Sequence, residues 1–167
     1  MIGLTMHFTV RRAEIADVPV LKALRIEALT TEPDAFGSTL EREIHRTEGD
    51  WRRWIAPNPT FLLEADGQPR GMVAGVQEPE DASTVNLMAM WAHPEARGTG
   101  AAASLIAAVT QWAGAIGATQ VRLKVVEANL RARRCYERCG FRTTGRHSVR
   151  EKDGAIELEM SLLLDRP

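Results

Sequence analysis

The 167-residue chain has little cysteine, one tyrosine, almost no charge imbalance and no long apolar run. Its two cysteines, Cys135 and Cys139, stand four apart. That is not the C-x-x-C of a redox or zinc site, and no histidine cluster accompanies them, so they read as reduced, part-buried thiols. His45, His93 and His147 are scattered without partners at metal or triad spacing, and no metal site is expected. Twenty-one Lys and Arg against 22 Asp and Glu leave a net charge of −1. This gives no general attraction to nucleic acid or to an anionic membrane. No run approaches the ~20 apolar residues of a membrane span. Met1–Val10 lacks the basic start and apolar core of a signal peptide. A soluble cytoplasmic protein is the expectation. Without repeats, low-complexity tracts or a linker, one domain over residues 1–167 is expected, large enough for a real core.

The most informative stretch runs from Met88 to Ile106, MAMWAHPEARGTGAAASLI. It reads as an apolar strand, a Pro turn, a Gly-containing loop and an Ala-rich helix. Gly98 and Gly100 allow a tight turn and a close backbone approach. The helix begins with unpaired N–H groups and the positive end of its dipole. That arrangement suits a phosphate, with Arg97 adding charge at the mouth. Walker A fails, because Ala101 and Ala102 follow Gly100 where Lys-Ser/Thr is needed. The dinucleotide fingerprint meets Ala103 at its third glycine, and the chain has one strand–helix–strand crossover rather than an alternating series.

Along the chain, Phe8–Arg11 reads as a strand, and Asp17 with Pro19 opens a helix ending near Thr30. Ser38 with Glu41 predicts a capping box for a second helix, followed by an apolar helical face at Trp51, Trp54 and Ile55. Residues 60–77 predict a hairpin turning at Asp66–Pro69. Glu78–Ala82 reads as a polar loop and Thr84–Ala92 as the central strand. Gly98–Ile116 predicts a helix. Gln120–Val126 is then a strand parallel to the central one. Leu130–Arg138 is a helix stopped by Gly140, and Phe141–Arg150 with Ala155–Leu164 forms a last hairpin.

Two segments in this order carry a resemblance. Arg97-Gly98-Thr99-Gly100-Ala101-Ala102 fits R/Q-x-x-G-x-G/A, the acetyl-coenzyme A pyrophosphate loop of the GNAT superfamily of N-acetyltransferases. Asn129 to Phe141, NLRARRCYERCGF, is similar to that family's second signature in its Asn, Ala, Tyr, Gly and Phe. The resemblance covers residues 60–164 well and the N-terminal third more loosely. It implies an α/β fold: a mixed, mainly antiparallel central sheet with splayed strands and helices on both faces.

By the same resemblance, the backbone of Met90, Trp91 and Ala92 pairs with the pantetheine arm of acetyl-coenzyme A. The amides of Gly98, Thr99, Gly100, Ala101 and Ala102 hold its pyrophosphate beside Arg97. Asn129 hydrogen-bonds the arm, Arg133 or Arg134 reaches the 3′-phosphate, and Tyr136 is the general acid. The implied activity is acetyl transfer to the primary amine of a small molecule or peptide. Alternatives are a longer acyl group and a non-catalytic acyl-coenzyme A sensor. Family members acting on protein N-termini often carry Glu five residues before the motif Asn, where this chain has Lys124. The base is therefore open among Glu78, Glu80, Asp81 and water. Residues 27–50 hold Glu27, Glu32, Asp34, Glu41, Glu43, Glu48 and Asp50 against Arg42 and Arg46. They read either as a lure for a cationic amine or as a solvated helix surface. Phe36 is either an acceptor-pocket wall or a core plug. Sheet edges could pair in a homodimer, as in many members of the family.

Overall fold

Alternating apolar residues make the middle of the chain a sheet that buries a different core on each face. The structure, a computed structural model, describes residues 7–165. Met1–Met6 and Arg166–Pro167 lie outside them, and with them most of the segment read for a signal peptide. The strands are β1 (Phe8–Arg12), β2 (Thr60–Ala65), β3 (Gln68–Glu78), β4 (Asp81–Ala92), β5 (Gln120–Val126), β6 (Arg142–Val149) and β7 (Ile156–Leu163). The helices are α1 (Val18–Thr31), α2 (Leu40–Ile44), α3 (Glu48–Arg52), α4 (Ala101–Ala115) and α5 (Leu130–Arg138). Strand order is β1-β2-β3-β4-β5-β7-β6. Only β4 and β5 pair in parallel, joined by the α4 crossover. No helix among the described residues is long and apolar enough to cross a membrane.

On one face Leu105, Ile106, Val109 and Ala113 form the buried stripe of α4. They pack with Leu63, Val73, Val85, Leu87 and Val121 of the sheet and with Tyr136 and Phe141 around α5. On the other face Leu21, Leu24, Ala28 and Leu29 of α1 meet Leu62, Met72 and Trp91, with Trp51 behind them. Each fully buried side chain of this size contributes about 1.5–3 kcal/mol.

β4 changes face midway. Met72 pairs with Trp91 but Ala74 pairs with Met88, so β4 carries an extra residue there. Ala89 absorbs it at φ 55°, in the left-handed region. Such a bulge shifts the side-chain alternation by one. Val85 and Leu87 therefore join the α4 core, whereas Trp91 joins the α1 core.

Several local expectations are corrected. Thr39, not Ser38, caps α2, its Oγ1 accepting from Arg42 N at 3.2 Å. The region splits in two, since Thr47 and Asp50 form a reciprocal capping box that starts α3 afresh. Asp17 does not cap α1; its carboxylate accepts from Glu14 N and from Arg11. The expected loop at Glu78–Ala82 is a tight turn that lets β4 start at Asp81, and α4 begins at Ala101 rather than Gly98.

Candidate active site

β4 and β5 share register only at Thr84–Gln120, Val85–Val121 and Asn86–Arg122. Beyond that point β4 stays with β3 and β5 with β7, so the two strands splay. A splayed β4 offers peptide groups on the edge facing the gap, and these need partners.

A cavity of about 210 Å³ opens on one side of the gap. Met90, Trp91, Ala92, Arg97, Gly98, Ala102, Asn129 and Tyr136 all line it, together with Glu32, Phe36, Arg131 and Cys135. Thr99, Gly100 and Ala101 continue the loop beyond the lining. Gly98 and Gly100 sit at φ 76° and 85°, conformations that cost any other L residue strain. Among the described residues the amides from Gly98 to Ala103 have no acceptor, and the first helical bond that closes is Ser104 N to Gly100 O at 3.1 Å. Bare N–H groups at the start of the 15-residue α4 fit a diphosphate.

Charge at this cavity is organised by a residue whose role the sequence did not reveal. Glu32, just past α1, accepts from Trp91 Nε1 at 2.8 Å, Arg97 Nη2 at 2.6 Å and Arg131 Nη2 at 2.7 Å. Partial burial pushes its pKa up, but these donors and the two guanidinium charges outweigh it and hold the carboxyl below its usual range. Arg97 is thus not a free charge at the loop mouth. Its Nη2 is on Glu32, and its Nε donates to Ala92 O at 3.0 Å. The spacing of Glu32 and Arg97 along the chain carries no signal of this contact.

Asn129 caps α5, its Oδ1 accepting from Ala132 N at 3.2 Å, which leaves its amide N–H groups to donate. Arg133 donates to Glu127 O, and Arg134 lies in another cleft; neither lines the cavity, whereas Arg131 and Arg138 do. Tyr136 is 8% exposed and meets Phe141 edge-on at 5.8 Å. Burial, then the neighbouring Cys135 and Cys139 thiols, push its phenol pKa up. The hydroxyl stays protonated through neutral pH.

A second cleft, about 750 Å³, lies across Phe36. Ala35 and Phe36 line both spaces, so Phe36 is at once a buried plug and a shared wall. The β6–β7 turn holds that wall in place. Arg150 Nη2 donates to Asp34 O at 2.8 Å, and Lys152 Nζ to Pro33 O at 2.9 Å and Ser38 O at 3.2 Å. Trp54 belongs to this cleft, whereas Trp51 is core.

The expected bases part company here. Glu78 lines the second cleft, bonded by Asn86 Nδ2 at 2.7 Å and Arg122 Nη2 at 3.3 Å. Asp81 is held by Ser83 and Thr84, which keep its pKa low, and Glu80 is exposed in the turn outside the cleft. Glu157 and Glu159 line the cleft unforeseen, because β7 inserts beside β5. Their alternation with Ile156, Leu158 and Met160 was the available signal. Much of the acidity of residues 27–50 is paired internally: Glu43 with Arg25 and Arg46, Glu48 with Arg52, Asp50 with Arg53. His93 accepts from Glu95 N, a structural role, and no group of three metal-ligand residues occurs among the described residues.

Residues 11–141 match the acetyltransferase (GNAT) family. Among curated proteins, none matches the chain. Solved structures share the fold. A GNAT-family acetyltransferase from Streptococcus pneumoniae has TM-score 0.79 at 20% identity, over 95% of this chain and 100% of that one. A protein from Salmonella typhimurium, solved with its cofactor acetyl-CoA, has TM-score 0.74 at 21% identity, over 96% of each. Spermidine N-acetyltransferase from Vibrio cholerae, in complex with CoA and spermine, has TM-score 0.72 at 18% identity, over 93% of this chain and 95% of that one.

Proposed function

The chain belongs to the GNAT acetyltransferase family, and from that premise we propose that its single domain moves an acetyl group from acetyl-coenzyme A directly to a primary amine. The observation that carries this reading is the pair of spaces meeting at Phe36 beside the β4–β5 gap. One is lined by the phosphate-loop residues and by the chain's only tyrosine, and the other is open to an acceptor.

The amides from Gly98 to Ala102 bind the diphosphate, and Arg97, held by Glu32, lends charge without occupying the loop. The free edge of β4 at Met90, Trp91 and Ala92 pairs with the pantetheine arm as an added strand would. Asn129 donates to the arm from its free amide. When bound, the thioester supplies an activated acyl carbon. The amine lone pair forms the C–N bond, and the C–S bond breaks with its electron pair on sulfur. Tyr136 holds a proton at Oη and gives it to sulfur, and the amine loses one proton to a cleft carboxylate or water. Burial makes the phenol a weaker acid than free tyrosine, so its proton stays in place through neutral pH and passes to sulfur only as charge builds there.

The test is thiol release from acetyl-coenzyme A by the purified chain with a panel of amines. Release that depends on the amine supports the reading. Cofactor binding without release would mark a sensor instead.

A further inference from the structure

Resting on the transfer reading above, we propose that the acceptor is an amine that also carries a carboxylate, as a free α-amino acid does, and that Arg25 and Arg42 hold that carboxylate. The two walls of the second cleft carry opposite charge. On the helical wall Arg25, Arg42 and Arg46 face the cleft. Arg25 and Arg46 share one carboxylate: fully buried Glu43 accepts from Arg25 Nε at 2.9 Å and pairs with Arg46 Nε at 3.3 Å. Arg42 has no ion pair among the described residues.

Arg25 is the decisive group. It is 5% exposed, yet neither of its Nη atoms has a hydrogen-bond partner among the described residues, and Nη1 is buried. Its guanidinium lies 4.7 Å from the Phe36 ring centroid and 5.2 Å from that of Trp54, which fixes its plane. Ser38 Oγ, in the same cleft, is also buried without a partner. Nη1 and Ser38 Oγ are sealed within the protein and Nε is taken by Glu43, so the Arg25 donor open to a ligand is Nη2, beside the exposed Arg42. A carboxylate meets such charged N–H donors in strong, charge-assisted hydrogen bonds, one oxygen on Arg25 Nη2 and the other on Arg42.

The sheet wall has the opposite balance. Glu78, Glu157 and Glu159 stand there against Arg122 and Lys124. This wall flanks the point where β4 leaves β5, beside the expected thioester. An α-amino acid with its carboxylate on the helical wall would turn its ammonium toward these carboxylates. One of them takes the proton that frees the lone pair. The lone pair then displaces the thiol as above, leaving an N-acetyl amino acid and coenzyme A thiol. A polyamine would set cations against the arginine wall and leave Arg25 Nη2 bare.

The experiment measures thiol release by the full chain with α-amino acids, their α-amides, the corresponding decarboxylated amines, and spermidine. Amino acids should exceed their amides in kcat/KM by about tenfold or more, the scale of one charge-assisted contact. Arg42→Glu, at an exposed position, should collapse that acid-to-amide ratio chiefly through KM, and Arg25→Lys should reduce it. Simple misfolding would lower both rates and leave the ratio unchanged. Amides or spermidine used as well as the acids, or a ratio unmoved in Arg42→Glu, would overturn this proposal alone. Release with no amine would overturn the transfer reading as well.

Discussion

Leu87 and Trp91 lie on one strand at positions of equal parity, yet they face opposite cores. The extra residue at Ala89, with its φ of 55°, makes the switch. A β-branched residue tolerates this conformation poorly. Ala89→Val should lose about 2 kcal/mol, whereas Ala89→Gly should stay within about 0.5 kcal/mol because relieved strain offsets a more flexible unfolded chain. Urea denaturation measures both, and a valine variant as stable as the parent would refute the account.

Gly100→Asp places a carboxylate where the diphosphate is expected. A Cβ there meets only Phe8 Cζ, at 4.0 Å, so the structural cost is the left-handed backbone, about 1 kcal/mol. Cofactor binding should nevertheless vanish in calorimetry. Gly100→Ala, which carries the same strain without the charge, should keep more affinity. Equal losses would move the explanation from charge to backbone.

Tyr136→Phe removes one oxygen and little packing, since the ring and its contact with Phe141 remain. Stability and cofactor affinity should hardly change, while kcat should fall by about 100-fold, the lower range for a positioned acid. A phenylalanine variant with the parent's kcat would remove Tyr136 from the chemistry.

Glu32→Gln tests the three-donor hub. Its carboxyl is held below the ordinary value of 4.5. Its contribution is therefore complete above that value and disappears as pH falls through the lowered folded-state value. With its charge-assisted bonds discounted for partial exposure, the substitution should cost about 1–2 kcal/mol at pH 7. Thermal melts should show the gap between parent and variant closing on acidification below about pH 4.5. A gap that does not shrink on acidification would mean that the loss is steric.

The elements were legible wherever period and punctuation agreed. The Gly98–Gly100 loop, the parallel β5 and the α5 segment fall where their spacing puts them, because local chemistry decides them. The α2–α3 break was misread because Ser38 and Thr39 are both plausible caps, and Thr47–Asp50 offers a stronger second start. The bulge at Ala89 was hidden because an extra residue in an apolar strand leaves no mark in composition. The alternation of Glu157 and Glu159 with apolar residues marked an open strand face but not which cleft it lines. Glu32 stood out only as one acid among seven. The neighbours of all three come from strand order and from contacts far along the chain. Glu32 and Arg131 meet at 2.7 Å although 99 positions separate them along the chain.

Phe36, strapped from behind by Arg150 and Lys152, has a kinetic consequence. Donor and acceptor would approach this single ring from different directions, so neither would need to depart before the other arrives. Loading in either order, with both occupants present before turnover, follows from one aromatic partition. Double-reciprocal plots that cross rather than run parallel would show both occupants present before turnover, and binding of each ligand alone by calorimetry would show that either can load first.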